Sequence, residues 1–214
     1  LAFRLKLPKD KIREIAIGSL LHDIGFTYIT FDYQSKIVED FSEKEIKEIK
    51  KHVIYGYSAV EEKDWLTKTS RDIILGHHER LDGSGYPFRL KDAKIPIGNK
   101  IVAVCDEFDS RAYGNLMPKT KVHEAIDYIV SQAEVKFDLE VVKAFVASVA
   151  AYPIGALVIT NEGEVGIVLR QNPKCPTRPV IRIVKDQEGK KPTEWVEKDL
   201  TKELTLFITD TIID

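Results

Sequence analysis

Residues 73–87 read IILGHHERLDGSGYP, and they combine the two features that decide the fold. Two isoleucines stand one helical turn before His77 and His78, so the spacing predicts a helix that brings both histidines beside an apolar core. The glycines and the proline of residues 82–87 predict a tight loop directly after those histidines. We therefore expect a helical domain with a polar site at the edge of its core.

Apolar residues recur at helical spacing on both sides of this segment and extend the helical prediction over residues 1–150. Ser42 and Glu45 form the capping-box pattern at the start of one helix. Thr120 opens a later helix, and Asp138 is a candidate N-cap for the last one. The apolar stripes are Ile12, Ile15, Ala16, Ser19 and Leu20, then Ile46, Ile49, Val53, Tyr57 and Val60, and then Ile97, Ile101, Val104, Cys105 and Phe108.

The pattern changes at Tyr152-Pro153, after which β-branched residues alternate with turn signals. The segments 156–160 and 165–170 flank Asn161-Glu162-Gly163-Glu164, which predicts a β-hairpin. Further strands are predicted at Val180–Lys185, Trp195-Val196 and Leu204–Ile213. The expected fold class is therefore mainly α, with a helical bundle over residues 1–150 and a small antiparallel β-appendage over residues 151–214.

The composition excludes several other classes of protein. The 214 residues are 43% hydrophobic and 31% charged with a net charge of -2, and no basic stripe indicates bulk nucleic-acid binding. Cys105 and Cys175 lie far apart, so we expect no disulfide framework and a cytoplasmic location. No apolar run predicts a membrane span. Because the chain begins at Leu1 rather than at a methionine, we expect it to be a piece of a longer protein.

Six histidines and aspartates carry the candidate chemistry. Their positions next to apolar helical residues direct them to one interior point of a bundle: His22, Asp23, His52, His77, His78 and Asp106. Imidazole nitrogens together with carboxylate oxygens suit iron, manganese or zinc, whereas Mg²⁺ prefers oxygen ligands alone. Buried ionisable groups in this number require partners or a metal.

Each of these residues also has an ordinary structural interpretation. His52 alone would be a histidine of the surface or the core, and His22 would interact favourably with the C-terminal dipole of its helix. A structure without a metal site would require the ordinary interpretation to be correct for every one of these residues at once. We therefore favour a metal site. His123 has no carboxylate in a matching pattern, and we expect it to be structural.

The loop of residues 82–87 is the second candidate functional feature. Gly83 and Gly85 would let backbone N–H groups approach phosphate oxygens. Tyr86, set before Pro87, would stack on a base or hydrogen bond to a phosphate. An ordinary turn is the alternative for a Gly-Ser-Gly tract.

In order, spacing and flanking residues, these motifs resemble the HD-GYP branch of the HD phosphohydrolase superfamily. The resemblance covers residues 1 to 150 nearly continuously, and it implies an HD-type helical bundle. The motifs that carry it are His22-Asp23, His52, His77-His78-Glu79, Asp82–Pro87, and Asp106 with Asp109.

The resemblance implies a metal-dependent phosphodiesterase that hydrolyses cyclic di-GMP to the linear dinucleotide or to GMP in bacterial signalling. It implies two or three divalent ions, iron or manganese, with catalytic roles for His22 and Asp23. Asp23 would bridge the ions, and the other five residues would be terminal ligands. The Gly85-Tyr86-Pro87 loop would shape the substrate mouth or contact diguanylate cyclase (GGDEF) proteins. Apart from the resemblance, the β-appendage suits a surface for partner docking or for a homodimer, and its residues indicate no ligand. The expected substrate-binding residues are Gly83, Gly85, Tyr86, Pro87 and Arg111.

Three departures from the family pattern support an alternative. The family has a further ligand-bearing helix upstream, a lysine at the position of Phe26, and an Arg-Pro-Tyr-Arg-like stretch at the position of Asn115–Pro118. Without those basic groups, Arg111, Lys119 or Lys121 would have to face phosphate. The alternative is a degenerate HD-GYP domain that binds metal or nucleotide, as a sensor or docking module, without turnover. A third hypothesis keeps hydrolysis and changes the substrate to another nucleotide or phosphoester.

Overall fold

The computed structural model describes residues 1–172 and 175–212, and the chain folds into two compact units. The first unit comprises Leu1–Thr120 and Asp127–Phe145, and the second comprises Lys121–Ile126 and Val146–Asp214. The predicted fold class, mainly α with a C-terminal antiparallel β-appendage, is confirmed. The domain boundary between residues 150 and 151 stays a prediction.

Seven α-helices are present in the described part of the chain. They are α1 (Lys9–Leu21), α2 (Glu43–Ile49), α3 (His52–Val60), α4 (Lys68–Gly76), α5 (Ile97–Tyr113), α6 (Val122–Ser131) and α7 (Leu139–Val146). A 3₁₀ turn, Ile24–Tyr28, follows α1 and packs against α3. Among residues 1–172 and 175–212, no helix combines the length and the apolar character that a bilayer crossing requires.

Helix α4 is the centre of the helical core, since it packs against α1, α3 and α5. Ile73 and Ile74 of α4 are fully buried, as are Val53 of α3 and Val104 of α5. Burial of each of these side chains contributes roughly 1.5–3 kcal/mol relative to exposure. The C-terminal end of α4, where the paired histidines stand, is thus held by a fully buried part of the core.

The helix ends predicted from the sequence are confirmed at two positions. The Ser42 hydroxyl accepts a hydrogen bond from the Glu45 backbone N–H, and the Glu45 carboxylate accepts one from the Ser42 backbone N–H. Together these bonds satisfy two N–H groups that have no partner inside the helix. The Asp138 carboxylate accepts a hydrogen bond from the backbone N–H of Val141, as expected of an N-cap.

All three predicted apolar stripes differ from the structure in part. Leu20 is 84% exposed, because α1 approaches α4 through its Ile15 and Gly18 face and leaves Leu20 on the other side. The stripe from Ile46 to Val60 does not lie on one helix. It is divided between α2 and α3, since α2 ends before Lys50 and the chain turns before the next helix begins.

The stripe on α5 is also shifted from the predicted face. Ile97 is partly exposed and Cys105 is exposed, so the expectation that Cys105 lies in the core is wrong. The buried arc runs instead through Ile101–Val104. Cys105 follows that arc by one residue, and one residue rotates a side chain by about 100° around a helix of 3.6 residues per turn.

The second unit contains a five-stranded antiparallel sheet with the strand order β4-β3-β2-β1-β5. Its strands are β1 (Leu157–Thr160), β2 (Val165–Arg170), β3 (Val180–Lys185), β4 (Glu197–Asp199) and β5 (Ile208–Ile212). The β1–β2 hairpin and β3 are confirmed. The fourth strand begins at Glu197 rather than at Trp195, and the fifth begins at Ile208 rather than at Leu204. Ile213 lies outside the described residues.

Candidate metal centre

Four separate elements of the helical unit bring the six predicted residues together. His22 and Asp23 stand between α1 and the 3₁₀ turn, and His52 is the first residue of α3. His77 caps the C-terminal end of α4, and His78 follows it. The last member, on α5, is Asp106. Each residue stands at or near a packed helix end or on the inward side of a helix. Packing of these helices against one another therefore brings the six polar side chains together.

One group of ligand atoms consists of Asp23 and three histidines, His52, His77 and His78. The Asp23 Oδ1 atom lies 3.5 Å from His52 Nε2 and 3.5 Å from His77 Nε2. The two Nε2 atoms are themselves 3.5 Å apart. His52 and His77 are completely buried, so these two rings are shielded from bulk water, whereas Asp23 and His78 are partly exposed.

A second group shares Asp23 with the first and adds His22 and Asp106. His22 Nε2 lies 3.3 Å from Asp23 Oδ2 and 3.7 Å from Asp106 Oδ1. Asp106 Oδ2 lies 3.6 Å from His78 Nδ1, which joins the two groups. Asp23 thus presents one oxygen to each group, an arrangement that suits a carboxylate between two ions.

The backbone fixes the orientation of three imidazole rings. The Nδ1 atoms of His22, His52 and His77 donate to the carbonyl oxygens of Ser19, Ile49 and Ile73, at 2.7, 2.7 and 3.1 Å. A neutral ring that donates through Nδ1 has a bare lone pair on Nε2. Hydrogen bonds of this kind set the tautomer and the direction of metal-bound histidines.

The atoms at the middle of the cluster are hydrogen-bond acceptors that lack donors, and a cation would satisfy them. The bare Nε2 atoms of His52 and His77 face one another, and neither can donate to the other when both rings are neutral. Asp23 Oδ1 is buried and accepts no hydrogen bond from any residue in 1–172 or 175–212. A buried carboxylate oxygen without a partner is costly. The donor set of nitrogens and oxygens therefore fits divalent transition metals.

The pKa values of the clustered residues also suit the binding of a metal ion. Burial disfavours charge on His22, but the carboxylates of Asp106 and Asp23 prevail and raise its pKa to about 10. Burial opposes charge on Asp23 as well, yet contacts with His22 and His77 hold its pKa well below the usual range. Burial and the neighbouring His77 lower the pKa of His52 to about 4 and that of His78 well below its usual value. Those two rings are neutral at pH 7, the form that binds metals.

The loop after His78 is anchored by Glu79, whose side chain is buried. Its Oε1 accepts the Phe88 backbone N–H at 2.7 Å, and its Oε2 accepts the Leu90 backbone N–H at 2.8 Å. Both oxygens point back toward the chain, so Glu79 is not available as a metal ligand in this arrangement. The sequence identified Glu79 as part of the motif but did not indicate that it holds the loop.

Within that loop, the predicted substrate residues take different places. Gly83 occupies a left-handed turn with a φ of 80°. Gly85 is buried, and a Cβ atom there would lie 2.4 Å from the His78 carbonyl oxygen, so only glycine fits. The Tyr86 ring stacks on the His78 imidazole with centroids 4.7 Å apart, and a cis peptide bond joins Tyr86 to Pro87. The loop therefore packs against the metal centre through the contact between Tyr86 and His78.

We expect Glu79→Gln to loosen this loop. The amide would place an N–H₂ group where a backbone N–H now donates, which leaves a buried donor unsatisfied at a cost of about 1–3 kcal/mol. Hydrogen exchange should accelerate at the amides of Phe88 and Leu90, and the unfolding temperature should fall by about 2–10 °C. The exposed Glu39, changed to Gln, is the control and should change stability by less than about 0.5 kcal/mol. Unchanged exchange at both amides would contradict the anchoring role.

Aromatic and basic residues around the cluster were not all foreseen. Phe26 stacks face to face on His52 with centroids 4.2 Å apart, so it covers one side of that ring. Arg111 forms an ion pair with Glu107 and lies over the Tyr128 ring, and these contacts occupy its guanidinium. Its substrate role stays a prediction. Asn115 lines an open cleft of about 270 Å³ that leads to His22, Asp23 and Asp106.

Comparison with known proteins identifies two family models and two relatives of this chain. The sequence model of the HD domain family matches residues 1–153, and that of a KOW domain associated with HD domains matches residues 157–213. A cyclic di-GMP phosphodiesterase of Pseudomonas aeruginosa is 33% identical over 202 residues, which cover 94% of this chain and 48% of that protein. A 3'3'-cGAMP-specific phosphodiesterase of Vibrio cholerae is 35% identical over 111 residues, covering 51% of this chain and 21% of that protein.

Solved structures support the same fold. An HDGYP protein from Bdellovibrio bacteriovorus superposes with a TM-score of 0.57 at 23% identity, over 67% of this chain and 45% of that one. The chain thus spans about half the length, or less, of the proteins it matches.

A helical fold that directs histidines and aspartates to one buried point defines a domain that binds divalent metal ions. The helical unit described here has that arrangement, with Asp23 at its centre. The chain belongs to the HD domain family, and its resemblance to the HD-GYP branch is confirmed.

Proposed function

We propose that this chain is a metal-dependent phosphodiesterase that hydrolyses cyclic di-GMP to the linear dinucleotide or to GMP. The observation that carries the proposal is the position of Asp23, whose two oxygens belong to two adjacent groups of metal-ligating atoms. A dinuclear centre of that kind suits cleavage of a phosphodiester, in which both the attacking and the leaving oxygen bear charge. The curated relative from Pseudomonas aeruginosa, named for the same reaction, supports the choice of substrate.

We propose two or three iron or manganese ions as the resident metals, held by His22, Asp23, His52, His77, His78 and Asp106. Bound ions of this kind activate water and neutralise charge on the phosphate. The protein supplies the rest: backbone carbonyls orient three imidazoles, and burial keeps His52 and His78 neutral for binding.

Hydrolysis adds one water across one phosphodiester bond. The water oxygen ends on phosphorus, the bond from phosphorus to the ribose oxygen breaks, and that oxygen leaves with a proton. Tyr86 is placed to contact the nucleotide as it enters, because its ring stacks on His78 at the edge of the centre. The open cleft lined by Asn115 gives a second route to Asp23 and Asp106.

Turnover assays separate this proposal from its alternatives. Protein loaded anaerobically with Mn²⁺ or Fe²⁺ should convert cyclic di-GMP to the linear dinucleotide or GMP, and a chelator should abolish the conversion. Binding of cyclic di-GMP without product over a long incubation would establish the sensor function instead. Faster turnover of 3'3'-cGAMP, the substrate in the name of the Vibrio cholerae relative, would change the substrate and keep the reaction. Contacts with GGDEF proteins and with a second copy stay predictions.

A further inference from the structure

We propose that Lys50 binds a phosphate group of the substrate at the mouth of the metal centre. This inference rests on the proposed function and extends it to a residue outside the ligand set. Lys50 stands at the C-terminal end of α2, two residues before His52 in the chain. Its side chain is exposed, and its Nζ lies 5.4 Å from the centre of the Tyr86 ring.

Tyr86 connects this lysine to the metal centre. One contact of the Tyr86 ring is the Lys50 ammonium, and another is the His78 imidazole, stacked at 4.7 Å. His78 in turn has its Nδ1 3.6 Å from an Asp106 oxygen. A cation held over the face of an aromatic ring is attracted to the ring and keeps a preferred position. Lys50 therefore presents an exposed positive charge beside Tyr86, at the edge of the centre.

Two other basic side chains near the centre, Arg80 and Arg111, are already engaged. Arg80 donates to the carbonyl oxygens of His77 and Glu79 and forms an ion pair with Glu107 at 3.0 Å. Arg111 pairs with the same carboxylate of Glu107. Lys50, by contrast, has neither an ion pair nor a hydrogen bond from its ammonium in the parts of the chain spanning 1–172 and 175–212. Its charge is available to a ligand.

A phosphate is the ligand that this charge fits. A cyclic dinucleotide has two phosphates, and only one of them can be at the metals during a given cleavage, so the other needs a cation nearby. Phe26 and Asn115 are neutral and do not supply one. A lysine ammonium is a compact, flexible point charge that suits a phosphate held at a solvent-exposed mouth. The competing role for Lys50 is a favourable interaction with the C-terminal dipole of α2.

Two substitutions at Lys50 and one matched control test the proposal. Lys50→Met removes the charge and keeps an unbranched side chain, and Lys50→Arg keeps the charge. Lys47→Met removes another exposed lysine from the last turn of the same helix. Affinity for a hydrolysis-resistant phosphorothioate analogue of cyclic di-GMP is measured by calorimetry in Mn²⁺, and the kinetic constants are measured on cyclic di-GMP itself. Metal content and unfolding temperature are recorded for each protein.

We expect Lys50→Met to raise Kd and KM about five- to tenfold, with kcat within about twofold and metal content unchanged. Lys50→Arg should recover most of the affinity, and Lys47→Met should match the wild type. Equal affinity in Lys50→Met and the wild type would overturn the role of Lys50, as would an affinity loss that Lys47→Met shares. A wild type that binds without turnover would overturn the proposed hydrolysis alone, since the affinities still test Lys50. A wild type that neither binds nor hydrolyses cyclic di-GMP would overturn both.

Discussion

Asp23→Asn is expected to reduce cyclic di-GMP hydrolysis at least about 100-fold and to lower the metal content of the purified protein. The substitution keeps the shape of the side chain and removes its negative charge. Asp23 is the only member of both ligand groups found in the described residues, so its loss affects both at once. Metal ions contribute several kcal/mol of charge stabilisation to such reactions, and each 1.36 kcal/mol is a factor of ten in rate.

The asparagine amide also adds an unsuitable group to the centre. Asp23 Oδ1 now lies 3.5 Å from two bare Nε2 atoms, those of His52 and His77. An N–H₂ group in that position would donate to one of these nitrogens and occupy a lone pair that a metal requires. The variant should therefore keep its fold and lose its metal, rather than unfold.

Metal analysis and single-turnover kinetics check this prediction. Metal per chain should fall by at least one ion relative to the wild type, while the circular dichroism spectrum stays unchanged. Asp64→Asn is the matched control, because Asp64 is exposed and stands outside both ligand groups. Wild-type metal content and wild-type rate in Asp23→Asn would show that the cluster is not the reaction centre.

The six candidate ligands could be found from the sequence because their positions depend on local rules. His77 and His78 follow the apolar pair of α4 by one turn, and the side chains of residues three or four apart share a helix face. The end of a helix is also local, as the capping box at Ser42 and Glu45 illustrates. The spacing of the histidines and aspartates did not identify the protein family by itself. That identification also required the loop residues 82–87.

The features that were missed depend on how distant segments approach one another. Leu20 has helical spacing with Ala16 and Ile12, yet the direction of α1 is set by the close approach of Gly18 to Ile73 of α4. Glu79 is adjacent to two histidines, but its partners are backbone N–H groups of Phe88 and Leu90, about ten residues later. Pattern alone does not show such packing, because the same pattern is compatible with several helix crossings.

Lys50 illustrates a third limit. Its sequence context, two residues before a buried histidine in a lysine-rich segment, is ordinary for an exposed helix. The end of α2 at Lys50, and the separate start of α3 at His52, depend on packing beyond the local segment. The contact with Tyr86 then follows from the placement of a loop 36 positions away in the chain. Only the folded arrangement distinguishes this lysine from its neighbours.

Gly25→Ala is expected to have the largest effect on stability of any glycine-to-alanine substitution in this chain. A Cβ atom at Gly25 would lie 1.8 Å from the His52 carbonyl oxygen and 2.6 Å from the Gly56 backbone nitrogen. Both atoms belong to the backbone of α3, so no side chain can rotate to make room. The 3₁₀ turn and α3 would have to separate by more than an ångström.

That separation also disturbs the metal centre. Asp23 stands two residues before Gly25, and His52 is the residue whose carbonyl the new methyl group would strike. Overpacking of a well-filled core typically costs 1–3 kcal/mol and occasionally more. Because the obstacle here is backbone on both sides, we expect a loss of about 3 kcal/mol or more. Each kcal/mol shifts the unfolding temperature of a chain of this size by about 2–4 °C.

Gly98→Ala is the matched control, since a Cβ atom there meets only side-chain atoms of Ile73 and Ile15, at 2.9 to 3.3 Å. These side chains can shift, and alanine improves helix propensity by up to about 1 kcal/mol, so the net change in Gly98→Ala should be about 1 kcal/mol or less. Urea unfolding measures both variants, and metal analysis follows on the folded fraction. Gly25→Ala should lose both stability and metal. If it were as stable as Gly98→Ala, the contact between the 3₁₀ turn and α3 would not be as close as the structure describes.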